Sequence, residues 1–298
     1  MNQEQSFVAE RLATIAGKLT PPGRFAAGGP AAGLPNPLLR VAGVGDYLGW
    51  PVPGAQVEAV IASGAATRAP YGLGEATVTD AAVRDSWRVP PSRLTWDNPA
   101  WDGALAGLVA DAATALGVAP HVGAVLHNLL LYRPGGHFAA HTDTEKVAGM
   151  FGTLSLQLPV AGGHWGGVLT VDHGRQRRSF DGSTVYGGAV VKARRTGAAA
   201  AASAASPATP PLYATAFFAD CRHELRPVTA GARVCLLYKL VATGAGAGGV
   251  PRSPRGCPHA SRVRRLLAAW AADAPGRSCG PVAFRLAHKY TAGRLSVG

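Results

Sequence analysis

The sequence predicts a mainly β (α+β) fold, in which short strands form a sandwich or barrel and helices pack on one outer face. Three observations lead to this prediction. Between Ala124 and Lys239, short apolar runs rich in β-branched residues alternate with Gly, Pro and Asp turn signals. Two segments before this region have helical apolar spacing. The 298 residues are 47% hydrophobic and 15% charged, so the chain can bury a sizeable core.

The first 54 residues are predicted to be a flexible lead-in. One helix can form near the N-terminus, and Gly and Pro then dominate from Pro21 to Pro53. The N-terminus contains Glu4 and Glu10 and lacks the continuous apolar core of a secretory signal. The sequence also lacks an apolar run of about 18 residues, the length that a membrane-spanning helix needs. We therefore expect a soluble intracellular protein, cytoplasmic or nuclear, without a membrane partner.

Two helices are expected before the strands. The first is a short one from Ala55 to Ala65. The second opens at Asn98-Pro99 and ends at Gly117, a residue type that commonly stops helices. Its apolar residues follow near-helical spacing: Trp101, Leu105, Leu108, Val109, Ala112 and Leu116.

The strands follow from the short apolar runs and the turn signals between them. The predicted strands are Val125–Tyr132, His137–Thr142, Gly152–Leu158, Gly167–Val171, Thr184–Val191, Tyr213–Ala219 and Arg233–Leu240. Two of the four cysteines, Cys221 and Cys235, lie in this apolar context. Since no C-x-x-C pair occurs, we expect buried free thiols instead of a disulfide framework.

Low-complexity segments divide the rest of the chain. An Ala/Ser/Pro tract at 194–211 cannot pack a core, so we interpret it as a surface insert in a domain that spans 55–240. Residues 241–298 are predicted to be a Gly-rich linker and a basic C-terminal segment. This segment contains a helix near Ser261–Ala272 and a strand-like stretch at Pro281–His288. Whether this last region is truncated is left open.

The predicted chemistry starts from His141 and Asp143. Residues two apart in a β-strand point to the same face, so this imidazole and this carboxylate can share one metal ion. A histidine from another strand would complete a 2-His-1-carboxylate triad, which suits non-heme Fe(II) because it leaves coordination positions open. An H-x-D pair alone is weak evidence in a chain with nine histidines.

A second block, from His223 to Arg233, strengthens this hypothesis. His223 begins an extended segment, and Arg233 follows ten residues later on the next predicted strand. A guanidinium in the mouth of a barrel can bind a carboxylate through two hydrogen bonds. The two blocks together predict a metal held by His141, Asp143 and His223 beside an anion-binding arginine. An ion pair of Arg233 with Glu224 or Asp220 is the structural alternative.

The two blocks resemble the prolyl 4-hydroxylase-like Fe(II)/2-oxoglutarate oxygenases. The first matches that family's Y-x-x-G-x-x-Y-x-x-H-x-D pattern from Tyr132 to Asp143, with Phe138 in place of the second Tyr. The second matches H-E-x-x-P-V-x-x-G-x-R from His223 to Arg233. The resemblance covers about Ala55 to Leu240. The two blocks are most similar to one subgroup of this family, and the resemblance does not indicate the substrate of that subgroup. His223 lies 80 positions after Asp143, which exceeds the usual separation, and the predicted insert accounts for part of the excess.

The resemblance implies a double-stranded β-helix, the jelly-roll or cupin-like core, with flanking N-terminal helices. It implies His141, Asp143 and His223 as iron ligands, Arg233 as the anchor of the distal 2-oxoglutarate carboxylate, and Tyr132 as a hydrogen-bond partner of that co-substrate. No catalytic residue beyond the metal ligands is implied. Cys235 stands where many relatives have Ser, which leaves a second partner of the carboxylate in doubt.

The implied enzyme is a 2-oxoglutarate-dependent dioxygenase, an oxidoreductase that uses Fe(II), 2-oxoglutarate and O₂, with ascorbate as a further candidate cofactor. It would hydroxylate a C–H bond of an unidentified protein or small-molecule substrate, with prolyl peptides among the candidates, and release succinate and CO₂. Prolyl hydroxylation itself is not implied by any residue of this chain.

Other polar residues near the two blocks receive more ordinary interpretations. His137, His164 and His173 flank Gly-rich turns and are not predicted to be ligands. Glu145 and Lys146 are predicted to lie in a solvated turn. Trp165 is placed in a hairpin turn, either as a substrate contact or as a hydrophobic plug. Tyr132 also has the alternative of a core tyrosine with a satisfied hydroxyl.

The formal net charge of +12 raises the question of a nucleic-acid partner. The basic residues form two clusters without aromatic residues interleaved in the second, so a solvated basic surface is favoured. Oxidative demethylation of nucleic acid is kept as an alternative function. Against it, such demethylases usually carry a further Arg six residues after the anchor, where this chain has Lys239. A catalytically silent binding module is the remaining alternative. The two clusters are Arg175, Arg177, Arg178, Lys192, Arg194 and Arg195, and Arg252, Arg255, Arg262, Arg264 and Arg265.

Overall fold

The computed structural model describes residues 23–73, 76–118, 121–184 and 211–243, together with residues 10, 11, 14, 265 and 268. Glu10, Arg11 and Thr14 are helical, as are Arg265 and Ala268. Their conformation agrees with the helices expected near both ends of the chain.

Antiparallel strands dominate the described part of the chain. Those before the second helix are β1 (Ala26–Ala31), β2 (Leu39–Val41), β3 (Thr67–Arg68), β4 (Tyr71–Leu73), β5 (Ala76–Val78), β6 (Arg84–Asp85), β7 (Trp87–Val89) and β8 (Leu94–Trp96). Those after it are β9 (Val122–Tyr132), β10 (His137–His141), β11 (Met150–Leu158), β12 (His164–Gly166), β13 (Leu169–His173), β14 (Gln176–Phe180), β15 (Leu212–Phe218), β16 (Arg222–Leu225), β17 (Val228–Gly231) and β18 (Arg233–Ala242). The helices are α1 (Gly54–Ala62) and α2 (Trp101–Leu116), with a 3₁₀ turn at Pro91–Arg93.

Two sheets form the centre of the fold. The larger has the order β1-β15-β11-β18-β9-β7-β3, and the smaller has the order β14-β13-β16-β10-β6. The chain passes repeatedly from one sheet to the other: β9, β11, β15 and β18 lie in the larger, and β10, β13, β14 and β16 lie in the smaller. This exchange of antiparallel strands is the topology of a jelly roll. The predicted double-stranded β-helix with flanking helices is therefore confirmed.

Each strand of the larger sheet separates two environments. On β11, Leu154, Leu156 and Leu158 belong to a core that also contains Val57 and Val60 of α1. The same core contains the apolar face of α2, with Trp101, Leu105, Val109, Ala113 and Leu116. The opposite face of β11 carries Thr153, Ser155 and Gln157, all buried. The alternation of side chains along β11 thus separates an apolar outer layer, packed against the helices, from a partly polar interior between the sheets.

The interior has its own smaller cluster of buried apolar residues. Leu130 and Tyr132 come from the larger sheet, and Leu169, Val171 and Leu225 come from the smaller. This cluster joins the two sheets and surrounds the polar residues of β11. The candidate functional residues lie in this space.

Both predicted helices form close to their expected bounds. Helix α2 begins just after Asn98-Pro99, and Gly117 ends it with a left-handed φ of 71°. The Gly117 amide donates to Ala113 and Thr114 carbonyls, which satisfies groups that a helix end leaves unpaired. Helix α1 buries Val57 and Val60.

The predicted irregular lead-in is wrong from residue 26 onward. Ala26–Ala31 pair with β15 over six residues and extend the larger sheet, and β2 pairs with β8. The Gly- and Pro-containing sequence of β1 resembles a loop, but an edge strand tolerates Pro30 because one side of it needs no partner. At Gly28, an added Cβ would lie 2.7 Å from the Ala214 carbonyl oxygen, so the close approach of β15 favours glycine.

Several further expectations can be compared with the structure. Cys221 and Cys235 are buried free thiols, as predicted. Trp165 lies in β12, opposite Ala230 of β17, and not in a turn as predicted. Thr184 is not in a strand, and the rest of the strand predicted at 184–191 lies outside the described residues. The same holds for residues 194–210 of the insert and for Cys257 and Cys279. Strand β18 continues to Ala242, two residues beyond the predicted domain end, and the domain boundaries stay predictions.

Among the described residues, none of the helices combines the length and apolar character needed to cross a membrane.

Candidate metal centre and anion pocket

The two histidines of the predicted triad face each other on neighbouring strands. His141 ends β10, and His223 lies on β16 directly opposite it in the antiparallel register. The register shifts between Phe138 and His141, which marks an irregularity of the kind that re-aims side chains beside functional sites. The ring centroids of His141 and His223 are 4.1 Å apart.

Asp143 joins them from the segment that follows β10. The strand ends at His141, so Asp143 does not share it as the sequence argument assumed. Instead, its amide donates to the Ala219 carbonyl over 3.1 Å, which ties the segment to the loop before His223. Its Oδ1 lies 3.9 Å from Nε2 of His223. One ligand atom from each of the three residues lies within 4.8 Å of the others. The structure therefore brings the predicted triad together, with the two histidines on strands and Asp143 on the loop after β10.

Backbone contacts set the tautomer of both histidines. Nδ1 of His141 is 2.9 Å from the Ala139 carbonyl oxygen, and Nδ1 of His223 is 3.0 Å from that of Cys221. A carbonyl oxygen accepts only, so each Nδ1 carries a hydrogen and each neutral ring keeps its lone pair on Nε2. A carbonyl behind a histidine is a common way to orient a metal-binding imidazole.

Burial keeps both imidazoles in the form that binds metal. Burial and the nearby His223 together lower the pKa of His141 to about 3. The pKa of His223 is also lowered, mainly by burial, against the opposing effect of Asp143. Metal ligation requires neutral histidine, so no proton needs to leave these rings near neutral pH.

Asp143 is held by two groups that the sequence reasoning did not assign to the site. Nζ of Lys239 donates to Oδ2 over 3.0 Å, and the Thr153 hydroxyl donates to the same oxygen. Burial alone would raise the pKa of Asp143, but Lys239 and His223 hold it well below its usual range. The carboxylate is thus ionised, with Oδ2 occupied and Oδ1 turned toward His223.

Aromatic rings support the histidines from behind. Phe138 stacks on His141 with centroids 3.6 Å apart, and Phe217 lies 4.6 Å from His223. The Arg84 guanidinium also packs on the Phe138 ring, 4.3 Å from its centroid. Phe138 occupies the position where the resembling family often has Tyr, and here its ring packs against a candidate ligand.

Arg233 lies at another level of the same interior. It begins β18, is 7% exposed, and its Nε donates to Oε1 of Gln157 over 3.2 Å. Tyr132 is its register partner on β9, and its guanidinium lies 5.5 Å from the Tyr132 ring centroid. Among the described residues, no carboxylate lies within ion-pair distance of Arg233, so the alternative pairing with Glu224 or Asp220 does not form.

A periodic signal in the sequence could have identified the missed residues. Thr153, Ser155 and Gln157 interrupt an otherwise apolar strand at every second position, and two of them contact Asp143 or Arg233. On β18, Arg233 and Lys239 are likewise six positions apart and therefore share a face. Buried polar residues at period two in an apolar strand indicate a lined cavity.

His127 is a second residue that the sequence reasoning missed. Register partners jump from Asn128 to Leu126 along β18, so His127 is the extra residue of a β-bulge. Burial and, to a smaller extent, the charge of Lys239 lower the pKa of His127 to about 4. The charges of Asp143 and Lys239 both act on His127, which places it beside the candidate metal centre.

The histidines not predicted to be ligands have other partners. His137 is bound to the carbonyl oxygens of Gly135 and Ala82, His173 stacks on Phe25, and Nε2 of His164 is 2.8 Å from Nε2 of Gln157. Glu145 and Lys146 lie in the irregular segment between β10 and β11.

The first basic cluster is partly neutralised where the structure describes it. Arg177 forms a two-point ion pair with Asp172, and the guanidinium of Arg178 lies 5.7 Å from the Phe180 ring centroid. Lys192, Arg194 and Arg195 lie outside the described residues, as do four of the five arginines of the second cluster.

No family model and no curated protein matches the chain. Solved structures do. A 2OG-Fe(II) oxygenase family oxidoreductase from Burkholderia pseudomallei is 15% identical, covers 85% of this chain and 94% of its own, and gives a TM-score of 0.35. A prolyl-4-hydroxylase from Pseudomonas putida is 14% identical, with coverage of 80% and 98% and a TM-score of 0.37. A Trichoplax adhaerens prolyl hydroxylase, in complex with a hypoxia inducible factor oxygen degradation domain peptide fragment, is 14% identical, with coverage of 81% and 94% and a TM-score of 0.39. The chain is thus similar over most of its length, at low identity, to 2-oxoglutarate oxygenases and prolyl hydroxylases.

Proposed function

We propose that this protein is an Fe(II)- and 2-oxoglutarate-dependent dioxygenase that hydroxylates a C–H bond of a peptidyl or small-molecule substrate. One observation carries the proposal. His141, Asp143 and His223 converge in an interior that also buries Arg233, a cation without a carboxylate partner among the described residues. A metal-binding triad and an unneutralised guanidinium, both buried between the two sheets, match a co-substrate that binds metal at one end and carries a carboxylate at the other.

The donor set fits ferrous iron. Two imidazole nitrogens and one carboxylate oxygen form a 2-His-1-carboxylate triad, the arrangement of non-heme Fe(II) oxygenases. In both histidines Nδ1 carries the ring hydrogen and donates it in a hydrogen bond to a backbone carbonyl, so Nε2 keeps a free lone pair. Asp143 presents one oxygen, since Thr153 and Lys239 occupy the other. This arrangement favours ligation through a single carboxylate oxygen.

The interior also fits the co-substrate. A buried guanidinium without a counter-charge is costly, and a bound carboxylate removes that cost through charge-assisted hydrogen bonds. Tyr132, next to Arg233 across the β9–β18 pair, is the residue we assign to hydrogen bonding with the same molecule. Arg233 is expected to select a dicarboxylate over a monocarboxylate.

The residues of the chain supply orientation and shielding in this mechanism. Bound iron would supply the activation of O₂, with 2-oxoglutarate oxidised to succinate and CO₂ and one oxygen atom transferred to the substrate. His141, His223 and Asp143 hold the metal in one position, and Arg233 aligns the co-substrate. Leu130, Leu169 and Val171 form apolar walls that exclude water from the interior.

Removal of a ligand is the direct test. We expect His141→Ala and His223→Ala each to weaken Fe(II) binding more than the roughly 10–100-fold typical of a residue that only supports a ligand. Anaerobic calorimetric titration of the purified protein with Fe(II), then with 2-oxoglutarate, measures both affinities. His137→Ala is the matched control, since the hydrogen bonds of that ring go to the backbone carbonyls of Gly135 and Ala82 and not to the triad. Equal loss in the control would overturn the ligand assignment.

Product formation separates the enzyme from its alternatives. With Fe(II), ascorbate and O₂, the protein is expected to form succinate from 2-oxoglutarate, and to form it faster with the correct peptide or small molecule. A barrel that binds iron but forms no succinate with any candidate would be a silent binding module. Salt-dependent affinity for DNA or RNA, combined with succinate formation on methylated nucleic acid, would identify the demethylase alternative.

A further inference from the structure

A chain of three buried polar residues begins at Arg233 and ends at His164. Nε of Arg233 donates to Oε1 of Gln157, and Nε2 of Gln157 lies 2.8 Å from Nε2 of His164. Gln157 is 2% exposed and His164 is 1% exposed. The three residues come from β18, β11 and β12, so the contact joins three strands at one point.

The hydrogen-bonding chemistry fixes the direction of this chain. Arginine has only donors, so the amide atom that faces Arg233 is the oxygen of Gln157. The NH₂ group of Gln157 then faces His164 and donates to its Nε2. His164 must therefore accept at Nε2 and carry its hydrogen on Nδ1. The imidazole is neutral, which agrees with a pKa lowered to about 4 by burial and by the charge of Arg233.

Gln157, the partner of the guanidinium's Nε, and His164 behind it are thus both uncharged. A buried arginine is usually paired with a carboxylate, because an unpaired buried charge is strongly unfavourable. Gln157 satisfies the hydrogen-bonding capacity of Nε without neutralising the charge. The terminal nitrogens then remain for an external carboxylate, which they can bind through two parallel hydrogen bonds.

Close packing leaves Gln157 and Arg233 little freedom to move apart. A Cβ added at Gly182 would lie 2.4 Å from Oε1 of Gln157, so the backbone there approaches the amide directly. A Cβ added at Gly167, whose φ is +68°, would lie 3.3 Å from Cδ of Arg233 and 3.5 Å from Cε1 of His164. These two glycines allow the main chain to pack against the amide and the guanidinium.

We propose that Gln157, oriented by His164, is a positioning residue that aims Arg233 and keeps it unneutralised, so that the site selects a 2-oxo acid with a second carboxylate. This inference rests on the proposed function. Gln157 and His164 act through Arg233 and are not catalytic residues. The decisive property is the neutrality of the amide, since a carboxylate in its place would occupy the arginine.

The test replaces the neutral amide of Gln157 by a charged carboxylate. Binding of 2-oxoglutarate and of 2-oxovalerate, a monocarboxylate of equal chain length, is measured anaerobically on the Fe(II)-loaded protein by calorimetry. In Gln157→Glu, an internal ion pair with Arg233 competes with the external one, so 2-oxoglutarate affinity should fall about 100-fold, as expected for the loss of one charge-assisted hydrogen bond. The affinity for 2-oxovalerate and for Fe(II) should change less than about threefold.

Two further variants keep the test decisive if Gln157→Glu does not fold. Gln157→Leu removes the hydrogen bond without adding charge and should cost about tenfold in 2-oxoglutarate affinity alone. His164→Ala should cost somewhat less, because the amide loses only its orienting partner. A loss of affinity for both 2-oxo acids in either variant would indicate a merely structural role and overturn the inference.

The controls separate this inference from the proposed function. If the wild-type protein binds neither Fe(II) nor 2-oxoglutarate, the proposed function fails. If the wild type binds both and Arg233→Met loses 2-oxoglutarate selectively, the function stands. In that case, unchanged selectivity in Gln157→Glu would overturn only the role of Gln157.

Discussion

At the scale of single residues, Lys239 decides how Asp143 is presented. Its ammonium is 4% exposed and bonds both Oδ2 of Asp143 and the Thr153 hydroxyl. In the sequence, Lys239 was noticed only as a replacement for an arginine found in nucleic-acid demethylases. The structure gives it a local partner, and that partner is a candidate metal ligand. A buried ion pair of this kind is sensitive to loss of either member.

Lys239→Met is therefore expected to lower the free energy of unfolding of the metal-free protein by about 3–5 kcal/mol, because it leaves the Asp143 carboxylate buried and unpaired. A bound divalent cation supplies the missing positive charge, so metal should stabilise the variant more than the wild type. Urea unfolding with and without Mn(II) measures both effects. In an Asp143→Asn background the same substitution should cost much less, and an undiminished cost there would contradict the pairing.

At the scale of elements, the turn between β17 and β18 determines where Arg233 begins its strand. Gly231 has a φ of +72°, and an added Cβ would lie 2.2 Å from the Gly163 carbonyl oxygen. Gly231 is the register partner of His164 on β12. Gly231, two positions before Arg233, thus has a steric role, since it lets β12 and β17 approach each other.

Gly231→Ala should destabilise the protein by about 1–3 kcal/mol, from backbone strain and from the clash with Gly163. It should also weaken 2-oxoglutarate binding because His164 and Arg233 lie on either side of the displaced segment. Gly107→Ala on α2 is the matched control: nothing lies within 4 Å of its added Cβ, and alanine in a helix should stabilise by about 0.4–1 kcal/mol. Thermal and urea unfolding of both variants measure the difference in stability. If Gly231→Ala were no more destabilising than Gly107→Ala, the steric explanation would be refuted.

Sequence reasoning recovered the elements that have strong local signals. The helix with the Asn98-Pro99 start and the Gly117 stop formed as expected, and so did the long strands that carry the two motif blocks. Edge elements such as β1 and the ribbon of β12 and β17 were missed or misplaced. The residues of β1 lack β-propensity, and β12 and β17 are only three and four residues long, so each forms a strand through the hydrogen bonds and close contact that a neighbouring strand offers.

At the scale of the whole molecule, the fold buries several imidazoles in their neutral form. The pKa of His164 is lowered to about 4 by burial and Arg233, that of His127 to about 4 by burial and Lys239, and that of His141 to about 3 by burial and His223. In the unfolded chain each titrates near 6.5. Unfolding between these values therefore takes up protons, and the folded state becomes less stable as the pH falls.

We expect the metal-free protein to lose stability progressively from pH 6.5 toward pH 4. For His164 alone the slope is about 1.4 kcal/mol per pH unit, since one proton is bound on unfolding. Urea unfolding across this range measures the slope, and His164→Gln should be shallower by about that amount. A variant slope equal to that of the wild type would show that His164 titrates normally in the folded protein.

The sequence by itself determined the chemistry that the chain can offer: an H-x-D pair, a distant histidine and an arginine ten residues beyond it, carried on strands with recognisable spacing. Local pattern suffices there because strand alternation and motif spacing are short-range properties. Only the tertiary structure decided how these groups work together. It placed Asp143 on a loop, paired it with Lys239, and gave Arg233 a neutral partner in Gln157. Those contacts join residues on different strands, and their geometry depends on register, bulges and close glycine packing, which no single segment of sequence specifies.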